Sequence, residues 1–305
     1  MWKKLGLIFK PDQSLDWMHS HATTPVPIHL KDDEYRIFFS TRNKLSQNSL
    51  AYIDIDISSP FTIKSISKIP ALTLGELGHF DCDGIYGTSI VKIDNKLILY
   101  YAGWNAGLRG LFYSSIGIAE SNDYGMTFKR IRTSPILSRD ETDPWSVMAP
   151  FVIQDNDNWK MYYTSGIKLF YDNGVLNSMY DIKIAVSNDG YNWNKTNKVA
   201  ILLKDDITNI ARANVIKMTN KYVVWFPYVT KINKNYRIGY GESLDGISFN
   251  NFRYDEDLKV GSLKEWDSEA VTYPYVFNHK KKQYMLYNGN NFGETGFGLA
   301  INEND

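Results

Sequence analysis

The feature that most restricts this chain is a period. A strand-like run ending in bulky residues returns five times, as YRIFFS, LILYYAG, WKMYYTSG, YVVWFPY and QYMLYNG. With Phe38, Tyr100, Tyr162, Trp225 and Leu286 as reference points, the intervals are 62, 62, 63 and 61 residues, so five copies fill the 305-residue chain. Periods of this kind belong to folds that stack one supersecondary unit beside the next. Each copy opens with another strand-like run and a short polar turn: PVPIHLKDDE, TSIVKIDNK, PFVIQDNDN, NVIKMTNK and PYVFNHKKK. Four copies continue with a third run, a tight turn and a fourth run, and helical periodicity is almost absent. The expectation is all-β: a single domain over residues 1–305, a five-bladed β-propeller with four antiparallel strands per blade. The last copy stops at its third strand, GFGLAIN, while WKKLGLIF at the start reads as a spare strand. Trp2–Phe9 is therefore predicted to complete the last blade, because closing the ring removes open sheet edges.

One phrase recurs inside the period: SNDYGMTF from Ser121, SNDGYNW from Ser187 and SLDGISF from Ser243. It falls between the third and fourth strands of a copy. Glycine there accepts positive φ, and aspartate bonds nearby backbone amides, so the phrase reads as a hairpin turn and not as a repeated site. Function is expected where the copies differ. They differ at the starts of the innermost strands, which should line an axial funnel: WMHSHATTP with His19 and His21, GHFDCDGIYG with His79, Asp81 and Asp83, DETDPWSVMAP with Asp143 and Trp145, NIARANV with Arg212, and EWDSEAVTYP with Asp267 and Glu269. The ends of the second strands should share that face, adding Arg42, Trp104, Asn105, Tyr228, Asn288 and Asn290. His, Asp, Glu, Arg and Trp thus meet where ligand-binding loops cluster.

Composition narrows the partners. Lys+Arg and Asp+Glu are both 34, which removes the basic signature of a nucleic-acid binder. No run approaches the ~20 apolar residues of a membrane span. The apolar stretch near the N-terminus is too short for a secretory signal, so a cytoplasmic address is expected. Cys82 is the single cysteine and has no internal disulfide partner. Its flanking acids disfavour a nucleophilic thiolate. Aromatic residues make up 14%, with 21 Tyr and 8 Trp; they suit strands and also stack on sugar rings.

On these motifs the chain resembles the five-bladed propeller carbohydrate enzymes: the arabinanase/β-xylosidase and invertase/levansucrase glycosidases and the β-mannoside phosphorylases. The DG-x-x-W turns, the YY-[AT]-[GS] strand ends and the five-fold count carry the likeness. It resembles more closely still the propeller proteins of bacterial surface-polysaccharide gene clusters, through SHATTP, YRIFFSTR, YYAGWN and YMLYNGNNFGETGFGLA (Tyr284–Ala300). The chain departs from the glycosidase pattern in three places. An NDPNG segment is absent and HSHATTP stands near its place, Thr142 replaces the arginine of an RDP motif, and an EC acid motif is missing.

The resemblance implies cleavage of a glycosidic bond. That chemistry needs a proton donor for the leaving oxygen and a nucleophile or base opposite it. Glu269 is expected as the acid and Asp83 as base or nucleophile, with Asp143 a third carboxylate able to raise a neighbour's pKa. A carboxyl separation of ~5–5.5 Å would favour retention and ~6.5–9.5 Å inversion. Arg42, Arg212, His21 and His79 point to an anionic group, either phosphate as co-substrate or an acidic sugar. Trp104 and Trp145 are placed to stack on a sugar face. No cofactor is required, although His19 and His21 with His79 or Asp83 present donors for a divalent metal. The alternative reading is a carbohydrate-binding or assembly module without turnover. The expected partner in either case is a carbohydrate or other sugar-containing small molecule.

Overall fold

A computed structural model describes residues 2–107, 112–204, 206–255 and 257–302. Among them nearly everything is β, with one short helical segment at Asn290–Gly293. Strand β1 (Trp2–Phe9) pairs with nothing near it in sequence. The strands that follow pair in antiparallel groups. The first group is β2 (Ser20–Lys31), β3 (Glu34–Arg42), β4 (Asn48–Asp56) and β5 (Ser59–Ile66). The second is β6 (Gly84–Ile93), β7 (Lys96–Asn105), β8 (Tyr113–Ser121) and the short β9 (Lys129–Arg130). The third is β10 (Ser146–Asp155), β11 (Asn158–Asp172), β12 (Val175–Ser187) and β13 (Asn194–Ile201). In the fourth the inner strand is split into β14 (Ile207–Ile210) and β15 (Asn214–Lys217), followed by β16 (Tyr222–Thr230), β17 (Arg237–Ser243) and β18 (Asn250–Tyr254). The last runs β19 (Thr272–His279), β20 (Lys282–Asn288) and β21 (Phe297–Asn302), and its outer place is taken by β1 in the order β1-β21-β20-β19. The predicted pairing of Trp2–Phe9 with the last strand is thus present, with Trp2 opposite Asn302 and Phe9 opposite Phe297.

Alternation along the second strands decides how groups pack. Successive side chains point to opposite faces, so Phe38 packs toward the second group and Phe39 toward the last. Tyr100 likewise faces the third group and Tyr101 the first. The bulky pairs read in the sequence are therefore the two sides of one strand, each filling a different interface. Buried apolar clusters lie between groups one and two, two and three, three and four, four and five, and five and one.

The repeated phrase is a turn held by its own side chains. Ser187 Oγ bonds Asp189 Oδ1 (2.9 Å) and accepts from Gly190 N (2.9 Å), while Asp189 Oδ1 accepts from the amides of Tyr191 and Asn192. Ser243–Asp245–Gly246 repeats the pattern, and Ser121–Asp123–Gly125 follows it closely. The turns also join neighbours: Tyr100 Oη donates to Gly190 O (2.6 Å) and Tyr162 Oη to Gly246 O (2.7 Å).

The inner strands share one irregularity. Pairing shifts between Thr23 and Val26, Gly87 and Ser89, Met148 and Phe151, and Thr272 and Tyr275. Such bulges leave a residue out of the ladder and bend the strand. Thr24, Ala149 and Tyr273 there have positive φ, as does Arg212 in the break between β14 and β15. The freed carbonyls converge, and Arg212 answers them. Its guanidinium donates to Tyr273 O (2.9 Å), Pro25 O (2.9 Å) and Thr88 O (3.2 Å), while Thr88 Oγ1 donates to Pro150 O (2.7 Å). One side chain from the fourth group thereby links the inner strands of the first, second and last.

Candidate active site

Above the bulges lies a cavity of about 550 Å³. Its floor is bulge backbone and small side chains, including Thr24, Thr88, Ala149 and Ala211. One wall is aromatic: Phe112 stands edge-on between Trp104 and Trp145, with centroids 6.1 Å from each. Glycines seat both indoles. A Cβ at Gly84 would collide with Trp104 Nε1, and one at Gly166 would sit 2.6 Å from Trp145 Cε2. The facing wall is Tyr180, Tyr236, Tyr273 and Phe292, with Tyr236 packed 6.0 Å from both Tyr273 and Phe292 and its hydroxyl bonded to that of Tyr180. Tyr180 and Ser178 are carried there by the long β11–β12 hairpin, whose two-residue turn Asn173-Gly174 has both residues at positive φ, the conformation Asn-Gly supplies most readily. Phe292 sits in the helical segment with its own φ at 59°.

The polar groups of the cavity are few. Thr24, Thr88 and Ser114 spend their hydroxyl protons on backbone carbonyls. Arg42 is the one formally charged side chain among the described lining residues. It donates to Tyr86 Oη (3.3 Å), and its buried Nε has no partner. His21 lies close by; burial first, and the Arg42 charge second, push its pKa down to about 4, so it is neutral at pH 7.

Of the residues expected in the funnel, Arg42, Trp104 and Trp145 line this cavity. The others stand around it. Asp81, Asp143 and Asp267 are buried in one repeated arrangement, each bonded to a tyrosine exactly twenty positions on and to a cation on the outer strand of its group. The sets are Asp81–Tyr101–Arg130, Asp143–Tyr163–Lys195 and Asp267–Tyr287–Lys4. Asp143 takes a second lysine, Lys183 (3.1 Å), and a bond from Ser165. Burial alone would raise its pKa, but the bonds from Lys195, Ser165 and Lys183 outweigh that and hold it low. The carboxyl whose pKa Asp143 helps to raise is Asp181, pushed up to about 6 chiefly by burial. Arg212 is fully buried beneath the floor. Asn288 is fully buried too, accepting from Thr24 N and donating to Ala22 O and Gly296 O, which straps the last group to the first. Asn290 accepts from the amides of Glu269 and Ala270. Tyr228 packs on Phe226 and Tyr254, where burial raises its pKa to about 12. His19, His79 and Asn105 are half-buried and outside the lining. Asp83 is half-buried, with one oxygen accepting from Ala106 N (2.8 Å), and Glu269 is exposed. Among the described residues no cluster of three His, Cys, Asp or Glu side chains is arranged to hold a metal, and no helix is long and apolar enough to cross a membrane.

Sequence reasoning missed Tyr86, Phe112, Tyr180, Tyr236, Tyr273 and Phe292. They come from four different groups and converge only in three dimensions. The twenty-residue Asp–Tyr interval, by contrast, was readable, and it marks those aspartates as part of the repeat.

This all-β fold is one that glycoside hydrolases share. A solved glycoside hydrolase superposes with a TM-score of 0.76 at 17% identity, covering 98% of this chain and 90% of that one. The GH32 β-fructofuranosidase of Bombyx mori gives 0.63 at 16%, covering 93% and 61%. The family 117 glycoside hydrolase Zg3597 of the marine bacterium Zobellia galactanivorans gives 0.63 at 14%, covering 99% and 89%. No protein-family model matches the chain. At the level of sequence it is 37% identical over 304 residues to the uncharacterized protein Rv1502 of Mycobacterium tuberculosis, across 99% of both chains. The chain belongs to the family of that mycobacterial protein.

Proposed function

We propose that this protein binds a carbohydrate in the aromatic cavity and acts on a glycosidic bond there. The observation that carries the reading is the cavity itself: two aromatic walls over the bulged inner strands of a fold shared with glycoside hydrolases. Concave, mostly apolar sites with a few polar groups are where small ligands bind. In this reading the strand groups are the five blades of a propeller, β1 closes its ring, and the cavity is the axial funnel.

Asp83 and Glu269 are the carboxyls we assign to the chemistry, because each is linked to a lining residue through an intermediate one. Asp83 precedes the glycine that seats Trp104. Glu269 is held through its amide by Asn290 and through its carbonyl by Arg237 (2.8 Å), and Asn290 opens the turn that presents Phe292. Asp143 takes no part in the chemistry in this reading: with Tyr163, Ser165 and its two lysines it braces the segment ahead of β10. The likeness to proteins of surface-polysaccharide gene clusters makes such glycans the first substrates to try. Water and phosphate are both acceptors to supply.

A second reading, binding without turnover, is favoured by one specific fact: the described lining residues include no Asp, Glu or His. Product release from a panel of bacterial oligosaccharides, followed by mass spectrometry with and without phosphate, separates the two. Cleavage that falls at least ~100-fold in both Asp83→Asn and Glu269→Gln, with binding retained, is the expected result. Full activity in both variants removes the assignment. A ligand that binds and is never converted establishes the second reading.

A further inference from the structure

The cavity has an electrical asymmetry that aromatic stacking does not explain. Arg42 faces it with no carboxylate partner among the described residues, and its buried Nε has no acceptor. A second cation, Arg212, lies fully buried under the floor, answered by three carbonyls and no carboxylate, with its Nε also unpartnered. Its pKa falls to about 10 because burial disfavours the charged form, which still leaves it protonated at neutral pH. Tyr273 in the wall feels both charges. Among the described residues no carboxylate pairs with either arginine: Asp81, Asp143 and Asp267 are each bonded to their own lysine or arginine, while Glu294, whose charge is felt at His21, and Asp181, beside Tyr180, form no ion pair with Arg42 or Arg212.

Buried charges are ordinarily paired, and an orphaned donor on a charged group is costly. A planar guanidinium with free donors suits an oxyanion, above all one it can grip with two N–H groups. The cavity offers that anion no competing carboxylate and a low-dielectric aromatic surround, in which attraction is weakly screened.

We infer that the sugar bound in this cavity carries its own anionic group, a carboxylate or a phosphate ester, and that Arg42 is the residue that grips it, with Arg212 adding charge from beneath. This rests on the carbohydrate reading above and narrows it to acidic glycans. Arg212 is a positioning residue, since its guanidinium holds the bulges together and cannot reach a ligand.

The test is a thermal-shift and calorimetric comparison at fixed ionic strength. The probes are glucuronate and galacturonate, glucose 1-phosphate, the neutral sugars glucose and galactose, and inorganic phosphate alone. The acidic sugars should bind at least about tenfold more tightly than their neutral counterparts, as expected for a charge-assisted contact. Arg42→Gln should bring that ratio close to one, and Arg42→Lys should restore part of it. Preference for the uronates or for the sugar phosphate identifies which anion is read. Neutral sugars binding as tightly as acidic ones would overturn the inference and leave the carbohydrate reading standing. So would an acid-to-neutral ratio unchanged in a folded Arg42→Gln protein. Free phosphate that tightens binding of neutral sugars would also overturn it, by making the anion a separate co-substrate. If no sugar binds at all, both readings fail together.

Discussion

The interfaces between strand groups and the wall of the cavity are built on opposite principles. The interfaces repeat. Ser–Asp–Gly turns accept a tyrosine hydroxyl from the neighbouring group twice over, and behind them, inside three groups, the same tie of an aspartate, a tyrosine and an outer-strand cation recurs. The wall does not repeat. Trp104, Phe112, Trp145, Tyr180, Tyr236 and Phe292 occupy unlike positions in their groups and meet only around the cavity. Strands β8 and β12 show both principles on one element, with Ser114 and Tyr180 at the cavity and Ser121 and Ser187 starting the turns at the other end; β17 begins just after the wall residue Tyr236 and ends at Ser243, which starts its turn. A change in the repeated part should therefore move stability and spare recognition, and a change in the wall should do the reverse.

The largest effect expected is from removing residues 2–9. Trp2 and Ile8 are buried, Lys4 holds Asp267 at 2.6 Å, and β21 would be left with a bare edge. Loss of an entire strand exceeds single-residue effects, so roughly 5 kcal/mol or more should go, seen as a collapsed or absent melting transition. A truncated protein that keeps its melting temperature would break the comparison at its base, because the repeated interfaces would not need closure.

Next comes Asp143→Asn. It leaves the buried Lys183 without its anion, while Lys195 keeps Asp140 at 2.8 Å, a change that typically costs about 3 kcal/mol. The sign with pH follows from its lowered pKa: the contribution is present above the unfolded carboxyl value of about 3.9 and is lost as pH falls through the folded one. Denaturant melts of the variant and parent should therefore differ strongly at pH 7 and converge in acid. Sugar affinity measured on the folded fraction should stay within about twofold, since Asp143 is outside the cavity lining.

Asp181→Asn should act in the opposite direction. Asp181 is only 3% exposed, and its Oδ1 has no partner. Burial mainly, and Asp143 in addition, raise its pKa to about 6, with Lys183 pulling the other way. A carboxyl whose pKa is higher folded than unfolded destabilises the protein fully above the folded value, and the penalty disappears as pH falls below the unfolded one. The variant should gain roughly 3 kcal/mol at pH 8 and next to nothing at about pH 3 in the same melts. A variant that loses stability at pH 8 would show the Asp181 charge to be part of the lysine network.

How much of this the residues disclosed follows the same division. The period, the bulky strand ends, the turn phrase and the pairing of Trp2–Phe9 were legible because each is a local pattern with a mechanical reason. Arg42 and Trp104 were legible as second-strand ends, and Trp145 as an inner-strand start, on one face. The acids were harder. Asp81 and Asp143 stand at inner-strand starts like funnel residues, yet a tyrosine one strand away in the same group takes up each side chain. Tyr180 and Phe292 depend on a long hairpin and on a turn with two left-handed residues, and no periodicity announces where such excursions end.

On the proposed reading, recognition resides in the wall. The most direct measurement is saturation-transfer NMR of a bound oligosaccharide on the parent protein and on Trp104→Leu, with the melting temperature of each recorded alongside. Strong transfer to sugar ring protons is expected in the parent, and transfer at least about tenfold weaker in the variant, at nearly unchanged stability. Equal transfer in both proteins would contradict it and would place the ligand elsewhere.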